Sequence, residues 1–561
     1  MVRKFFSVIE REINGVHNAA YLLGLFAFFS QCLALVRDKL LAHHYGASIT
    51  LDIYYSAFRI PDFIFATVAS LVSISVLIPF LARSFEKDDK EGSGNTKALI
   101  NTIFSGYMIL MVTISALAFV LMPFLSKLIM PELPEGVFRN ELIWLSRILL
   151  LQPIALGISN LLGSITQVTR RFFLYALSPL FYNLSIIGSI LFLAPTMGLR
   201  GIMWGVVIGS LFHFGIQIPY IKSLKLLPMF TLKMRFKELR EVAMLSLPRT
   251  LTLSLVSLEL IFITFYASHM TEGSISIFNL ALNLQSVPFA IIGVSYSLAA
   301  FPTLSRLFSS GDKITFLEHV EVATRHIIFW ALPITALFIV LRAQIVRVIL
   351  GSGSFNWDDT RLTSACLSLF AISLVAQSLE LLFIRAYYAA GNTRKPLVIN
   401  LISSVLTIGL PFLIIMLWKA FPTIGYFVEI LFKVEDIPGA MVLALPLGFS
   451  LGTIFNMFVL LFAFHKDFPG SLAKTPRTFM HSLGTAVITG SIAYLMLGAL
   501  KRFIDTTTTF GIFSQAFLAG MVGIVAGVGV LSLLKNSELK EIMAIIPRKI
   551  LKEKDVVLES E

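Results

Sequence analysis

Apolar stretches long enough to cross a lipid bilayer recur fourteen times along this chain, near 18–43, 53–82, 99–123, 141–166, 173–193, 201–221, 241–267, 276–305, 326–349, 362–389, 397–418, 440–464, 479–499 and 512–534. A helix needs about 20 apolar residues to span the hydrocarbon core. Inside that core every backbone N–H and C=O must be satisfied within the protein, which leaves helices or closed barrels as the only choices. The runs therefore predict an all-α integral membrane protein of about 14 transmembrane helices. Charge agrees: 14% of the 561 residues are Asp, Glu, Lys or Arg and 56% are hydrophobic, against roughly 25% and roughly 45–50% in soluble domains. No soluble stretch between the spans is long enough for a catalytic domain, so an enzyme is not expected.

The net charge of +12 raises the question of nucleic acid, and the placement of the basic residues answers it. With fourteen spans both termini share a side. The loops on that side carry 29 Lys and Arg, and the opposite loops, with the adjoining end of the 326–349 span, carry 10. Cytoplasmic loops hold such an excess, so both termini are expected in the cytoplasm and no nucleic-acid partner is expected. Residues 1–17 read as an amphipathic cytoplasmic lead-in, because acidic as well as basic residues precede the first apolar run and no small-residue cleavage pattern follows it. Cys32 and Cys366 both sit in apolar runs, which argues against a disulfide or a cysteine metal site.

Arg37, Lys39, Arg59, Arg147, Arg249 and Arg385 fall inside the predicted spans. A charge at the bilayer centre costs at least about 2.5–3.5 kcal/mol on insertion scales, so such residues usually face a bundle interior or a watery cavity. Arg147 and Arg385 lie near predicted helix ends and are placed to snorkel. The stretch RDKLLAHHYGASITLDIYYSAFRIPDF, residues 37–63, is different, for it gathers Arg37, Asp38, Lys39, Asp52, Arg59 and Asp62 where two spans meet. Arg37 with Asp38, and Arg59 with Asp62, are expected as charge-balanced pairs lining a cavity. Tyr54, Tyr55 and Phe58 beside them read as packing. His43 and His44 point to different helix faces and make a poor metal site. Asp358 and Asp359 fall in an outer loop and are expected to be solvated. A GxxxxGK[ST] phosphate loop is absent, which argues against intrinsic ATP hydrolysis.

The second span, with Pro61 and Pro79, has a counterpart in the eighth, with Pro288 and Pro302, and each leaves through a similar exit, PFLAR (79–83) against PTLSR (302–306). Two lobes of six helices plus two extra helices fit this spacing. Repeats of this kind characterise secondary transporters, which place substrate between halves and work by alternating access. The expected organisation is an N-lobe over 18–225, a C-lobe over 226–466, two further helices over 467–535 and a cytoplasmic tail over 536–561.

Several segments in order resemble one family. RDKLLAHHYGAS with the following AFRIPD is similar to the first-helix signature of the MurJ/MviN lipid II flippases, of the multidrug/oligosaccharidyl-lipid/polysaccharide exporter superfamily. RRFFLYALSPLFYNLSII (170–187), LPRTLTLSL (247–255), GVSYSLAAFPTLSRL (293–307) and RAYYAAGNTRKP (385–396) resemble its later signatures. The resemblance implies a V-shaped bundle carrying undecaprenyl-pyrophosphate-linked disaccharide-pentapeptide across the bacterial inner membrane, with a cationic central cavity and a groove for the lipid tail on the last two helices. It also implies that the protein works as a monomer among membrane lipids, without a cofactor beyond a possible coupling cation.

Carried onto this sequence, the substrate site is Arg37, Asp38, Asp52, Arg59, Arg249 and Asn283, and ion coupling falls to Glu259, Thr264 and Glu380. The sequence departs from the family at Gln31, Phe65 and Asn283, where arginines are usual. A related exporter of another polyprenyl-linked oligosaccharide or of drugs, or a non-transporting membrane assembly protein, are the alternatives.

Overall fold

A computed structural model describes residues 16–69, 74–91, 94–169, 171–541 and 543. The lead-in expected over 1–17 lies outside the described residues except for its last two, as does most of the tail expected over 536–561. The side chains of Pro79 and Arg249 also lie outside them.

The first half runs through α1 (Val16–Tyr45), α2 (Ile49–Ala57), α3 (Arg59–Val68), α4 (Ile74–Glu91), α5 (Asn95–Ile129), α6 (Val137–Leu149), α7 (Leu151–Val168), α8 (Phe172–Phe192), α9 (Ala194–Met197), α10 (Leu199–Gly215) and α11 (Ile218–Ser223). The second half holds α12 (Phe236–Ser268), α13 (Ser274–Phe289), α14 (Ser295–Ser309), α15 (Lys313–Val340), α16 (Arg342–Ile349), α17 (Trp357–Ile372), α18 (Leu374–Ala389), α19 (Arg394–Ala420), α20 (Pro422–Phe432) and α21 (Ala444–Asp467). Two more, α22 (Thr475–Leu500) and α23 (Thr509–Leu533), follow. Among the described residues there is no strand.

Among the described residues, eleven helical spans are long and apolar enough to cross a membrane, or twelve if α17 and α18, bent by 43°, count as one. Each of the fourteen expected spans meets helix. The two beyond twelve are the first and second. α1 carries Arg37, Asp38 and Lys39 in its last third and its side chains before Gly24 lie outside the described residues, and the second span, expected as one helix over 53–82, is interrupted at Phe58 between α2 and α3, with 70–73 outside the described residues. Local chemistry explains other breaks. Pro288 near the end of α13 removes a helical donor, and a five-residue π turn, Ala290–Val294, follows it before α14 resumes. At the α17–α18 bend Ser373 Oγ donates back to the Phe370 carbonyl at 2.8 Å, a contact that often bends helices.

Within the first half α8 packs between α1 and α10, and α10 also packs on α7. In the second half α19 packs between α12 and α21, and α13 packs on α17. The last pair, α22 and α23, docks on α15. Close approach there depends on small residues, for a side chain at Gly527 would collide with Thr489. Beyond α23 the chain returns to the same place: Glu538, 1% exposed, accepts from Arg325 Nη1 of α15 at 2.7 Å and from Thr478 Oγ1 of α22 at 2.8 Å.

The largest buried apolar cluster crosses from one half to the other, joining Leu41, Leu51 and Ile53 to Ile277, Leu280 and Leu350. A second cluster, with Phe316, Phe383 and Phe464, belongs to the second half alone. The halves therefore share a core at the end of the bundle where α1 finishes and α13 begins. Lipid tails are as apolar as leucine, so packing between helices in a bilayer gains little from hydrophobic burial, and hydrogen bonds and close contacts decide it. The polar residues at the junction are accordingly the informative ones.

Candidate functional site: a polar clasp between the halves

Asp52 sits on α2 and is 4% exposed. Its carboxylate reaches across to the start of α13, where Oδ2 accepts from Gly273 N at 2.7 Å. Oδ1 accepts from Ser276 N at 2.7 Å and from Ser276 Oγ at 2.6 Å. A helix leaves its first N–H groups without partners and concentrates about half a positive charge at that end. Asp52 supplies the cap from a different part of the chain, so one end of α13 is satisfied only while the halves are together.

Arg59, 7% exposed at the start of α3, makes the second contact. Its Nε donates to Thr264 Oγ1 and its Nη2 to Asn279 Oδ1, both at 2.7 Å. Asp62, expected as its partner, forms no ion pair with it among the described residues; the guanidinium points across the junction instead. Arg59 is thus buried in the clasp and does not line an open cavity in this conformation. Thr264, grouped by sequence with the coupling acids, spends its hydroxyl here, accepting from Arg59 and donating to the Leu260 carbonyl at 2.8 Å.

Arg37 and Asp38 form the third contact, and this expected pair is present: Nε and Nη2 of Arg37 meet Asp38 Oδ1 at 2.9 and 2.8 Å. Asp38 Oδ2 accepts from Asn283 Nδ2 of α13 at 2.9 Å, which again joins the halves. The Arg37 side chain remains 20% exposed, so among these buried charges it is the one with a face open to a ligand. Asn183 steadies it from α8, at 3.5 Å from Nη1. The same amide donates to Ser30 Oγ at 3.1 Å and to the Pro179 carbonyl at 3.2 Å. The asparagine of the 170–187 motif therefore ties α8 to α1 behind Arg37.

The rim closes by backbone approach. Ser354 N donates to the His43 carbonyl at 2.9 Å, Lys39 Nζ to the Val348 carbonyl at 3.2 Å, and His43 Nδ1 lies 3.1 Å from Ser352 Oγ. Gly273 has φ +87, and a Cβ there would strike the Ala47 carbonyl; at Gly46, φ +61, one would lie 2.6 Å from the Ser354 carbonyl. Asp359, expected to be solvated, is 9% exposed. It accepts from Asn356 N in a capping box at α17 and from Ala47 N across the junction at 3.3 Å. Nearby, Asp436 in the connection after α20 accepts from the Arg361 guanidinium at 2.6 Å, which holds that carboxyl below its ordinary range.

Glu259 and Glu380 occupy a separate place within the second half. Asn456 Nδ2 donates to Glu380 Oε1 at 2.7 Å and to Asn400 Oδ1 at 3.2 Å, and Ser403 Oγ donates to Asn456 Oδ1 at 2.9 Å. Ser404 hydrogen-bonds Glu259, and the two carboxylates are near enough for their charges to interact. Arg249 lies on α12, but its side chain is outside the described residues.

Sequence reasoning placed Arg37, Asp38, Asp52, Arg59 and Asn283 in one site, and the structure brings them together with Thr264. It missed Asn279, Ser276, Gly273, Gly46, Asp359 and Asn183. For the glycines a signal existed, since Gly46 and Gly273 stand in the short connections after α1 and α12. For Ser276 and Asn279 nothing in the sequence pointed across more than 200 residues.

Two helical halves joined at one end by buried charges make a two-lobed helical membrane bundle. The fold agrees with that of a multidrug resistance MATE family transporter of the MOP superfamily in an inward-facing conformation, at 14% identity and TM-score 0.61 over 79% of this chain and 95% of that one. It is also like that of a lipid II flippase MurJ in an inward closed conformation, with TM-score 0.71 and 22% identity over 91% of this chain and 98% of that one. In sequence the chain is 26% identical over 524 residues, 93% of its length and 97% of the relative's, to a probable lipid II flippase MurJ of Thermotoga maritima. A probable lipid II flippase MurJ of Buchnera aphidicola subsp. Schizaphis graminum is 26% identical over 398 residues, 70% of this chain and 76% of that protein. The lipid II flippase MurJ family matches residues 41–517. The chain belongs to that family.

Proposed function

We propose that this protein moves lipid II, the polyprenyl-pyrophosphate-linked peptidoglycan precursor, across the bacterial cytoplasmic membrane by alternating access, acting as a single two-lobed unit and leaving the substrate chemically unchanged. Family membership supports the substrate. The observation that carries the mechanism is the clasp: its bonds join residues more than 200 positions apart, so the halves can part there without either half unfolding. The excess of basic residues on the loops that share a side with the termini supports a cytoplasmic location for both termini. On that orientation the clasped end faces outward, and this conformation receives substrate from the cytoplasm.

Arg37 is the residue for the pyrophosphate, because a guanidinium holds phosphate oxygens through paired hydrogen bonds and keeps its charge. Complementation of a flippase-depleted bacterium, scored as lipid II exposed at the outer leaflet, tests the reading. Arg37→Ala is expected to lower exposure at least tenfold at equal membrane abundance, with Arg37→Lys between. Undiminished export by Arg37→Ala removes the assigned role.

Glu259 and Glu380, with the amide and hydroxyl oxygens around them, suit a coupling proton or monovalent cation. One charge moved through 100 mV contributes about 2.3 kcal/mol, enough to bias a carrier cycle. Glu380→Gln is expected to export lipid II at a rate no longer changed by imposed proton or sodium gradients in vesicles. A gradient response equal to that of the unsubstituted protein contradicts the coupling role.

A second reading has specific support. Gln31, Phe65 and Asn283 stand where the family resemblance leads one to expect arginine, and Asn283 donates to Asp38 where a cation would have paired with it. A head group carrying less negative charge, on another polyprenyl-linked oligosaccharide, suits that arrangement. Parallel export assays with lipid II and with a neutral-sugar polyprenyl-pyrophosphate decide between them.

A further inference from the structure

Three carboxylates stand in the 37–63 stretch, and the structure treats one of them differently. Asp52 accepts three hydrogen bonds from the start of α13, and Asp38 accepts from Arg37 and from Asn283. Asp62, near the start of α3, has no hydrogen-bond donor and no ion pair among the described residues, although the charge of Arg59 is near enough to act on it. It is partly buried. Tyr54 of α2, 3% exposed, and Tyr182 of α8 each interact with the charges of both Asp62 and Arg37. The carboxyl therefore looks into the same interior of the first half as Arg37.

The helices packed against α3 bring no described cation to it. α7 has no titratable side chain. Tyr107 of α5 donates to the Pro153 carbonyl at 2.7 Å, and Glu259 of α12 is bonded to Ser404. On α6, Arg139 donates to the Met130 carbonyl, Arg147 to the Phe119 carbonyl, and Glu141 is paired with Arg200. Arg59 alone is placed to serve Asp62. It precedes Asp62 by three residues on α3, and residues so spaced are neighbours on one helix face. In this conformation its guanidinium is spent across the junction on Thr264 and Asn279. A carboxylate removed from water without a donor or a cation is costly, and a neutral carboxylic acid in the same place is far less so. Parting of the halves takes Thr264 and Asn279 away from Arg59 and leaves Asp62 as its neighbour. An adjacent guanidinium favours the ionised carboxylate.

We propose that Asp62 is a proton-binding site worked by the clasp: it carries a proton while Arg59 is bonded across the junction, and yields it to water when the halves part and Arg59 turns to the carboxylate. The carboxyl O–H bond breaks, a water molecule takes the proton, and an ion pair between Asp62 and Arg59 replaces the neutral acid. This rests on the alternating-access reading above and is separate from Glu259 and Glu380, which keep their own donors within the second half.

The test places spin labels at Glu135 and Asp358 of the full chain, with Cys32 and Cys366 replaced by serine, in phosphatidylcholine vesicles with the same pH on both faces. The clasped form binds the linked proton more tightly, so acid favours the clasp. The ratio of parted to clasped molecules is expected to rise about tenfold per pH unit where Asp62 titrates, the slope of one linked proton. Titration of Asp52 would give the opposite sign, because its three donors in the clasp favour the ionised form. Asp62→Asn should rest clasped and lose the slope. Arg59→Gln, which keeps an amide donor at the clasp but no charge for Asp62, should lose the slope too, while Arg59→Lys should keep it. A slope of the opposite sign, a slope retained by Asp62→Asn, or no slope while Asp52→Ala still moves the labels overturns the proposal and leaves alternating access standing. Labels that move in no variant overturn both. A response to sodium at fixed pH that Asp62→Asn removes also overturns it, by making the occupant a metal cation. Should Asp62→Asn fail to insert, Arg59→Gln decides: an undiminished slope there overturns the proposal.

Discussion

Asp52→Ala is expected to shift the two halves apart at the clasped end by more than a hundredfold in population. The carboxylate receives three hydrogen bonds and caps α13. Hydrogen bonds to a charged group contribute about 1.5–3 kcal/mol each, and a carboxylate at a helix N-terminus in a buried setting up to about 2 kcal/mol. These terms overlap, so a loss of about 3 kcal/mol is the reasonable figure, and each 1.4 kcal/mol is tenfold. Spin labels at Glu135 and Asp358, one on each half, with Cys32 and Cys366 replaced by serine, read the separation directly. The distance distribution should lengthen in Asp52→Ala and lengthen less in Asp52→Asn, which keeps one acceptor. Export should fall, because a carrier that rests open on one side returns slowly. An unchanged distribution would mean that Asp52 only stabilises its own half.

The second large effect belongs to Gly273→Ala. Its φ of +87 is a backbone region that a side chain makes costly, and a Cβ would also strike the Ala47 carbonyl of the other half. Backbone strain of this kind is worth about 1–2 kcal/mol. The collision adds to it, because two backbones must separate where Asp52 needs them close. Gly136 provides the control: it has φ +99 in a loop of the first half, and a Cβ there meets nothing within 4 Å. Gly136→Ala should carry the strain alone and leave the label distances unchanged, while Gly273→Ala should move them as Asp52→Ala does. Equal behaviour of the two alanine variants would show that strain, not close approach, sets the effect.

Hydropathy made the architecture legible, because a helix in hydrocarbon has no alternative to a long apolar run. What it hid was interruption. Residues 53–82 read as one span in spite of Arg59 and Asp62, and the break at Phe58 carries no hydropathy signal of its own. The charges of residues 37–63 were legible as a site, since six ionised groups have no other reason to stand between two spans. Their partners were not. Arg59 and Asp62 are three apart on a helix and read as a local pair, yet Thr264 and Asn279 take the guanidinium. Asp359 looked like loop charge because its role depends on Ala47, more than 300 residues earlier. Contacts between halves leave no periodic trace in either half, whereas a single feature such as Asn283 stands out because a family position changed.

The return of the chain after α23 has a mechanical consequence. Glu538 moors the tail to Arg325 and Thr478, α22 lies along α15, and α23 packs on α22 and α16. The last two spans are luggage strapped to the second half: whatever swing separates the halves carries them along. A long hydrocarbon tail resting against α23 would ride with that half and keep its berth through the cycle, while the head group alone changes surroundings between one half and the other. Labels on α22 and α15 should hold their spacing in every state in which those on Glu135 and Asp358 move.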